Sequence, residues 1–298
     1  MRISRLLLFL SLASLLAPSC LSQAAPAKRP MTFEDMMQMK RLGETAVSPD
    51  GKWLAYSVTS VDLAANSKTA ELWLQAIAGG EPQKLAAARP GDSGPQFSPD
   101  GKRILFLSAY EGGKQQVFMA DFDPATGATT NRKRVTFLWT EADNAQWSPD
   151  GKSIVFTSAV YPDCPAIQFD DFATGDTCNL KRDEALANSK VKAQVFTHLL
   201  YRHWNHFTGD KRSHLFLVSL DVPADVPYPH RDLTPNDPHD VPPFSLEGGG
   251  GFSISPDGKE LAFTENPDPE PATSVSAQIY TLDLTDAAAK PVKVSTSA

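Results

Sequence analysis

Four histidines near the middle of the chain could, by type and spacing, support metal binding or acid–base chemistry. They are His198, His203, His206 and His214. Neutral imidazoles are common zinc ligands, but zinc sites space their ligands on defined short motifs. The spacing of these four is irregular, and they lie in a segment without a defined helix. We therefore expect no metal site.

An aromatic and basic run overlaps this group and forms the candidate binding site. It consists of Tyr201, Arg202, His203 and Trp204. Aromatic side chains with an arginine on a loop are typical anchors for a binding partner. We predict that these four residues contact a substrate or another domain. The alternative is that the aromatic rings pack this segment onto a neighbouring sheet while Arg202 forms an ion pair.

The sequence carries no recognisable catalytic motif. It has no G-x-S-x-G nucleophile elbow, Walker loop, H-E-x-x-H motif or dinucleotide fingerprint. A Ser-His-Asp triad requires three residues placed by a fold, and no spacing here supports one combination over another. We expect no catalytic residue and no cofactor.

The elements that position the candidate site are indicated by a repeated turn sequence, Ser-Pro-Asp-Gly-Lys. Its copies begin at Ser48, Ser98, Ser148 and Ser255, so two equal spacings are followed by one that is about twice as long. Proline sets φ for the first central turn position, aspartate suits the second, and glycine takes the left-handed position that follows. These residues are Pro49, Asp50 and Gly51; Pro99, Asp100 and Gly101; Pro149, Asp150 and Gly151; and Pro256, Asp257 and Gly258.

Short runs of alternating apolar residues flank each turn and predict four antiparallel strands per repeat. This pattern predicts an all-β fold, a partial β-propeller of about four four-stranded blades. The blades span about 44–90, 91–140, 141–240 and 241–298. We interpret the long third gap as one blade with an insertion at about 161–211, rather than as an extra blade that lacks the turn sequence. A helix-like stretch falls at 181–192.

The N-terminus has the features of a secretory signal peptide over residues 1–24. Arg2 and Arg5 precede a short apolar stretch, and cleavage is predicted near Ala24. Cys20 offers a lipid attachment point as an alternative, although Pro18 fits a lipobox poorly. Residues 25–43 are predicted to form a linker and a short helix. The sequence therefore predicts a secreted or periplasmic protein with no membrane span.

The two remaining cysteines, Cys164 and Cys178, lie close together in the sequence, inside the insertion. In an oxidising compartment we expect them to form a disulfide. The alternative is a metal-binding pair, but no histidine lies at ligand spacing. The formal net charge of −7 argues against a nucleic-acid partner, which would require a basic surface. No oligomeric state is predicted.

The repeated turns resemble the TolB-like propeller repeat. Together with the signal peptide, the cysteine pair and the Tyr201–Trp204 run, the chain resembles the N-terminal propeller of secreted prolyl oligopeptidase-family serine peptidases of the dipeptidyl-peptidase or acylaminoacyl-peptidase type. The resemblance implies a propeller that admits short peptide substrates to an α/β-hydrolase domain bearing a Ser-Asp-His triad. This sequence departs from the pattern because it contains neither the later blades nor the hydrolase domain. We therefore expect a partial chain that is not catalytic by itself, or alternatively a periplasmic TolB-like module that binds protein partners.

Overall fold

The computed structural model describes residues 28–110, 113–168, 172–197, 199, 201–204, 206–207, 209–223, 226–244 and 251–296. The predicted signal peptide, with Cys20 and the cleavage site, lies outside these residues. Within the described part of the chain, no helix is both long and apolar enough to cross a bilayer. The chain divides into two compact units, one ending at Met39 and the other beginning at Lys40.

The first unit contains helix α1, Phe33–Gln38. It begins after Thr32, whose hydroxyl accepts a hydrogen bond from the Asp35 amide (3.3 Å), while the Asp35 carboxylate accepts one from the Thr32 amide (2.9 Å). This capping box satisfies two backbone donors that the first turn leaves free. The helix ends because Met39 has extended backbone angles.

Within the described residues, the second unit contains four sheets of four antiparallel strands each and one two-stranded hairpin. This arrangement confirms the predicted all-β fold with four blades. The strands are β1 (Arg41–Val47), β2 (Trp53–Asp62), β3 (Ser67–Ala76), β4 (Gln83–Lys84), β5 (Ser93–Phe97), β6 (Arg103–Ser108), β7 (Gln116–Phe122), β8 (Thr129–Arg134), β9 (Asp143–Trp147), β10 (Ser153–Val160), β11 (Arg202–His203), β12 (His206–Phe207), β13 (Arg212–Ser219), β14 (His230–Asp232), β15 (Phe252–Ile254), β16 (Glu260–Glu265), β17 (Gln278–Asp283) and β18 (Val292–Lys293), with helix α2 (Phe172–Asn188) and a 3-10 turn (Pro271–Thr273).

The third sheet has the order β14-β13-β10-β9, so two strands that are distant in sequence are adjacent in space. Strand β10 pairs with β13 from Ser153 opposite Ser219 to Val160 opposite Arg212. The chain therefore leaves the sheet after Val160 and returns to it at Arg212, which faces Val160. This inserted segment contains α2 and the β11–β12 hairpin.

Helix α2 begins at Phe172, well before the predicted stretch 181–192, and ends at Asn188. Its first turns include Gly175 and Thr177, which have low helix propensity and gave no signal in the sequence. Tertiary contact explains the early start. A Cβ on Gly175 would lie 2.4 Å from the Pro165 carbonyl oxygen, so only glycine permits this close approach of the helix to the preceding loop.

The four Ser-Pro-Asp-Gly turns share one hydrogen-bond pattern. In each, the glycine has φ between 67° and 75°, and its amide donates to the serine carbonyl over 2.8–2.9 Å. The serine hydroxyl donates to the aspartate and accepts from the amide five positions later, at 2.9 Å in every copy. The serine thereby joins the turn to the first residue of the next strand.

Replacement of Ser98 by alanine is expected to reduce the free energy of unfolding by about 1–3 kcal/mol, since Ser98 is buried and its loss leaves the Arg103 amide without its hydroxyl acceptor. The equivalent Ser255 makes the same bonds at a partly exposed turn. Ser255→Ala is therefore the matched control and should cost less, because water can replace the hydroxyl. Urea denaturation of both variants measures the difference, and equal losses would contradict this account.

The apolar core lies between successive sheets in three clusters. One cluster joins the first and second sheets, one the second and third, and one the third and fourth. Representative residues are Leu74, Phe106 and Phe118; Leu105, Phe156 and Phe216; and Leu217, Leu261 and Phe263. The turns follow the same order, because a Cβ placed on the glycine of the second, third or fourth turn would lie 3.6, 3.6 and 3.9 Å from the proline ring of the preceding turn.

Candidate functional site

The inserted segment is fixed to the third sheet by a disulfide and by a buried asparagine. Cys164 and Cys178 are bonded, with Cα atoms 5.8 Å apart. Next to Cys178 on α2, the side chain of Asn179 accepts a hydrogen bond from the Tyr161 amide (2.9 Å). Since Tyr161 directly follows β10, these contacts hold one face of α2 against the end of the blade.

A carboxylate on α2 makes the second attachment. Asp183 accepts hydrogen bonds from the indole of Trp139 (2.9 Å), the hydroxyl of Tyr161 (3.0 Å) and the ammonium of Lys211 (2.8 Å). Burial would raise the pKa of Asp183, but the bonds from Lys211 and Trp139 outweigh burial and hold it below its ordinary value. Burial, followed by the bond to Asp183, raises the pKa of Tyr161 to about 12.

Asp183 therefore connects four parts of the chain: the loop before β9, the end of β10, helix α2 and the residue before β13. A second carboxylate, that of Asp176, accepts the Trp139 amide (2.7 Å), and burial raises its pKa. Neither aspartate was identified in the sequence, because their partners are distant along the chain. The result is a rigid base for the rest of the insertion.

The candidate binding residues lie in the β11–β12 hairpin that follows this base. Arg202 is paired with Phe207, and His203 with His206. Trp204 occupies the turn with φ 52° and is 87% exposed. Tyr201 precedes the first strand and is also exposed.

Three aromatic rings at and next to the hairpin contact one another. Phe196 stacks on Phe207, with centroids 5.8 Å apart, and lies 5.3 Å from Tyr201. The guanidinium of Arg202 lies 5.9 Å from the centre of the Tyr201 ring. We name Phe196, Tyr201, Trp204 and Phe207 the hairpin aromatic cluster. All four side chains keep substantial exposed area, so the alternative of packing onto a sheet does not describe Trp204.

The histidine group does not form a ligand set that includes His214. This residue is buried on β13, where its Nδ1 lies 2.9 Å from Asp232 and its Nε2 lies 3.0 Å from the Asp237 carbonyl oxygen. Burial disfavours the charged imidazole, but the hydrogen bond and charge of Asp232 outweigh burial and raise the pKa of His214. His198 lies outside the described residues.

Comparison with known proteins identifies the repeats and relates the chain to peptidases. Residues 38–181 match the family model described as TolB beta propeller domain. The chain is 25% identical over 261 residues to dipeptidyl-peptidase 5 of Porphyromonas gingivalis, which covers 86% of this chain and 34% of that protein. The dipeptidyl-peptidase 5 of Porphyromonas endodontalis is 26% identical, with the same coverage of both chains. The chain thus spans about a third of the length of these curated relatives.

Solved structures agree on the fold. An acylaminoacyl peptidase from Pyrococcus horikoshii superposes with a TM-score of 0.55 at 14% identity, covering 87% of this chain and 33% of that one. A puromycin-hydrolyzing peptidase from Mycobacterium tuberculosis gives 0.50 at 14% identity, covering 86% and 31%. Residues 38–181 are therefore similar to the TolB beta propeller domain, the chain is similar in sequence to dipeptidyl-peptidase 5 proteins over 86% of its length, and its fold is shared with acylaminoacyl peptidase.

Proposed function

We propose that this chain is the propeller portion of an exported serine peptidase, where it admits peptide substrates to a hydrolase domain and is not catalytic by itself. The observation that carries this proposal is the similarity to dipeptidyl-peptidase 5, which extends over 86% of the chain. The signal-peptide features of residues 1–24 support export.

The outermost turn supports a larger ring of blades. In the second to fourth turns, the glycine faces a proline of the preceding blade at van der Waals distance. The corresponding space beside Gly51 has no atom of the described residues within 4 Å. At the other end of the series, Ile279 and Val292 of the fourth sheet are exposed. Exposed apolar side chains of this kind on a terminal sheet are what a further blade would cover.

The hairpin aromatic cluster supports a binding role for the insertion. Tryptophan, tyrosine and arginine dominate the energetics of interfaces because they bury large areas and also offer polar contacts. Here they project from a hairpin that lies between helix α2, which a disulfide attaches to the chain before it, and Lys211, which is bonded to Asp183 of that helix. Such an element can present the cluster to a peptide or to the hydrolase domain.

The proposal is tested by sequencing the coding region beyond the codon for Ala298 and assaying the complete gene product. Further Ser-Pro-Asp-Gly repeats and a G-x-S-x-G segment are expected, together with hydrolysis of a dipeptidyl chromogenic substrate that a serine-directed inhibitor blocks. The chain of 298 residues alone should show no turnover. A stop codon directly after Ala298, or inhibitor-sensitive hydrolysis by the chain alone, would overturn the proposal.

Trp204→Ala in the complete gene product is expected to raise KM for peptide substrates at least tenfold, the order of effect of removing an aromatic anchor. Its effect on stability should stay within about 0.5 kcal/mol, because the side chain is exposed. Tyr110→Ala is the matched control, since Tyr110 is an exposed aromatic residue outside the insertion. Equal KM values for the two variants would remove the hairpin from the proposed site.

A second candidate function is a TolB-like module that binds a protein partner without catalysis, which the family match of residues 38–181 favours. In that case the purified chain should be monomeric and should unfold cooperatively. It should also bind one protein partner through the hairpin aromatic cluster. The gene-sequencing experiment separates the two candidates, because only the first requires a hydrolase domain.

A further inference from the structure

Three side chains at the junction of the third and fourth sheets bring their donor atoms to one point. Asp237 and His239 lie in the loop that follows β14, and Glu265 ends β16. The Nδ1 atom of His239 lies 3.2 Å from an oxygen of Asp237 and 3.2 Å from an oxygen of Glu265. All three donor atoms lie within 4.8 Å of one another.

The charges of this cluster do not balance. Among the described residues, the ion pairs of both carboxylates are made with His239. The Nδ1 atom carries at most one hydrogen, which cannot be donated well to two oxygens at once. Glu265 is buried, its side chain 8% exposed, and a buried carboxylate without full compensation is costly. A dication bound between a neutral imidazole and two carboxylates would neutralise the cluster.

The two donor distances from His239 fit a small divalent metal ion. Zinc binds imidazole nitrogen and carboxylate oxygen at about 2.0–2.2 Å, usually with tetrahedral geometry, so neighbouring donors lie about 3.4 Å apart. The two distances from His239 are both 3.2 Å, so these donors require only small shifts. Calcium is a poorer fit, because it takes six to eight oxygen ligands and this cluster contains an imidazole.

The loop that carries two of the donors is held by neighbouring bonds. The His239 amide donates to the Asp237 carboxylate (3.0 Å). The carbonyl oxygen of Asp237 lies 3.0 Å from the imidazole of His214, which is itself bonded to Asp232. Contacts of this kind outside the ligand shell orient metal ligands and contribute to affinity. The donors of the loop are therefore presented to Glu265 in a fixed geometry.

We propose that Asp237, His239 and Glu265 bind one Zn²⁺ ion, which joins the loop after β14 to strand β16 and so links the third and fourth blades. The site is independent of the hairpin aromatic cluster and of the proposed peptidase function. Three protein ligands leave one coordination position for water.

The test is calorimetric titration of the EDTA-treated, dialysed chain with ZnCl₂. One ion per chain is expected, with a rise in Tm when zinc is added. Glu265→Gln and His239→Asn should each weaken zinc binding at least tenfold. Glu260→Gln, which changes an exposed carboxylate on the same strand, should leave the affinity unchanged and is the matched control.

A second readout covers the case in which a variant folds poorly. Titration of the wild-type chain with Co²⁺ should give the visible absorption of a four-coordinate nitrogen and oxygen site, and Zn²⁺ should abolish it. The proposal is overturned if zinc binding is absent, if both ligand variants bind zinc with wild-type affinity, if the cobalt spectrum is that of the hexahydrated ion, or if Ca²⁺ binds more tightly than Zn²⁺.

Discussion

Replacement of Asp92 by alanine is expected to lower the free energy of unfolding by about 3–5 kcal/mol, the cost of leaving one partner of a buried ion pair alone. The Asp92 side chain is 1% exposed and that of Arg132 is 12% exposed. Their closest atoms, Oδ2 and Nη1, are 2.6 Å apart. The same Asp92 oxygen accepts the Arg89 amide (2.8 Å).

The guanidinium of Arg132 explains the size of the effect. It donates to the Ala87 carbonyl (3.1 Å) and the Ser108 hydroxyl (2.8 Å), and it lies 4.3 Å from the centre of the Phe118 ring. These contacts hold Arg132 in the interior, so the cation cannot move into water when Asp92 is removed. Asp92 bonds the Arg89 amide, and its partner Arg132 bonds the Ala87 carbonyl. Loss of Asp92 should therefore also loosen the segment between the first two blades that contains Ala87 and Arg89.

Glu71→Ala is the matched control. Glu71 pairs with Lys84 over 2.5 Å, but both side chains are substantially exposed. Exposed pairs contribute about 0–1 kcal/mol, so this variant should be nearly neutral. Guanidinium denaturation of the two variants provides the comparison. A loss of less than about 1 kcal/mol for Asp92→Ala would show that Arg132 finds another partner or reaches solvent.

The fold was largely predictable because its strongest signal is local. Each Ser-Pro-Asp-Gly turn closes through bonds among residues at most five apart, so the turn sequence determines its own geometry. The long spacing between the third and fourth turn sequences could be interpreted for the same reason. The apolar runs before and after 161–211 each have the pattern of a strand, and together they supply the strands of one blade. The start of helix α2 was predicted too late because it depends on the contact of Gly175 with Pro165.

The candidate sites were less predictable, for a physical reason. The hairpin residues could be predicted from their residue types. The roles of Asp183 and of the cluster formed by Asp237, His239 and Glu265 depend instead on contacts between sheets and loops. Glu265 is distant from His239 in the sequence and lies on another blade, so no spacing rule joins them. His214 shows that nearness in sequence does not imply a shared site, because in the structure it is bonded to Asp232.

The contribution of His230 to the free energy of unfolding is expected to fall by about 3 kcal/mol as the pH is lowered from about 6.5 to 4, because His230 is buried in its neutral form. His230 lies on β14 with its ring against the edge of Phe156, centroids 6.1 Å apart. Burial is the main cause that lowers the pKa of His230 to about 4. The charge of Arg134 also lowers this pKa, whereas a hydrogen bond to the Tyr228 backbone opposes the shift.

The sign follows from proton counting. Above pH 6.5, His230 is neutral in the folded and the unfolded chain, and its contribution is fully present. Between pH 6.5 and 4, the unfolded chain binds a proton that the folded chain does not, so stability falls by about 1.4 kcal/mol per pH unit. Asp176 and Glu265, whose pKa values burial raises, have the opposite slope.

Denaturation of wild type and His230→Gln between pH 4.5 and 8 isolates this contribution, because the carboxylates are common to both proteins and cancel in the difference. The wild type should lose stability more steeply below pH 6.5. His214→Asn tests the opposite pH dependence. Because the pKa of His214 is raised, its contribution to the free energy of unfolding is lost as the pH rises above 6.5. If wild type and His230→Gln have the same slope below pH 6.5, the imidazole of His230 gains its proton without penalty and the interior of the third blade is accessible to water.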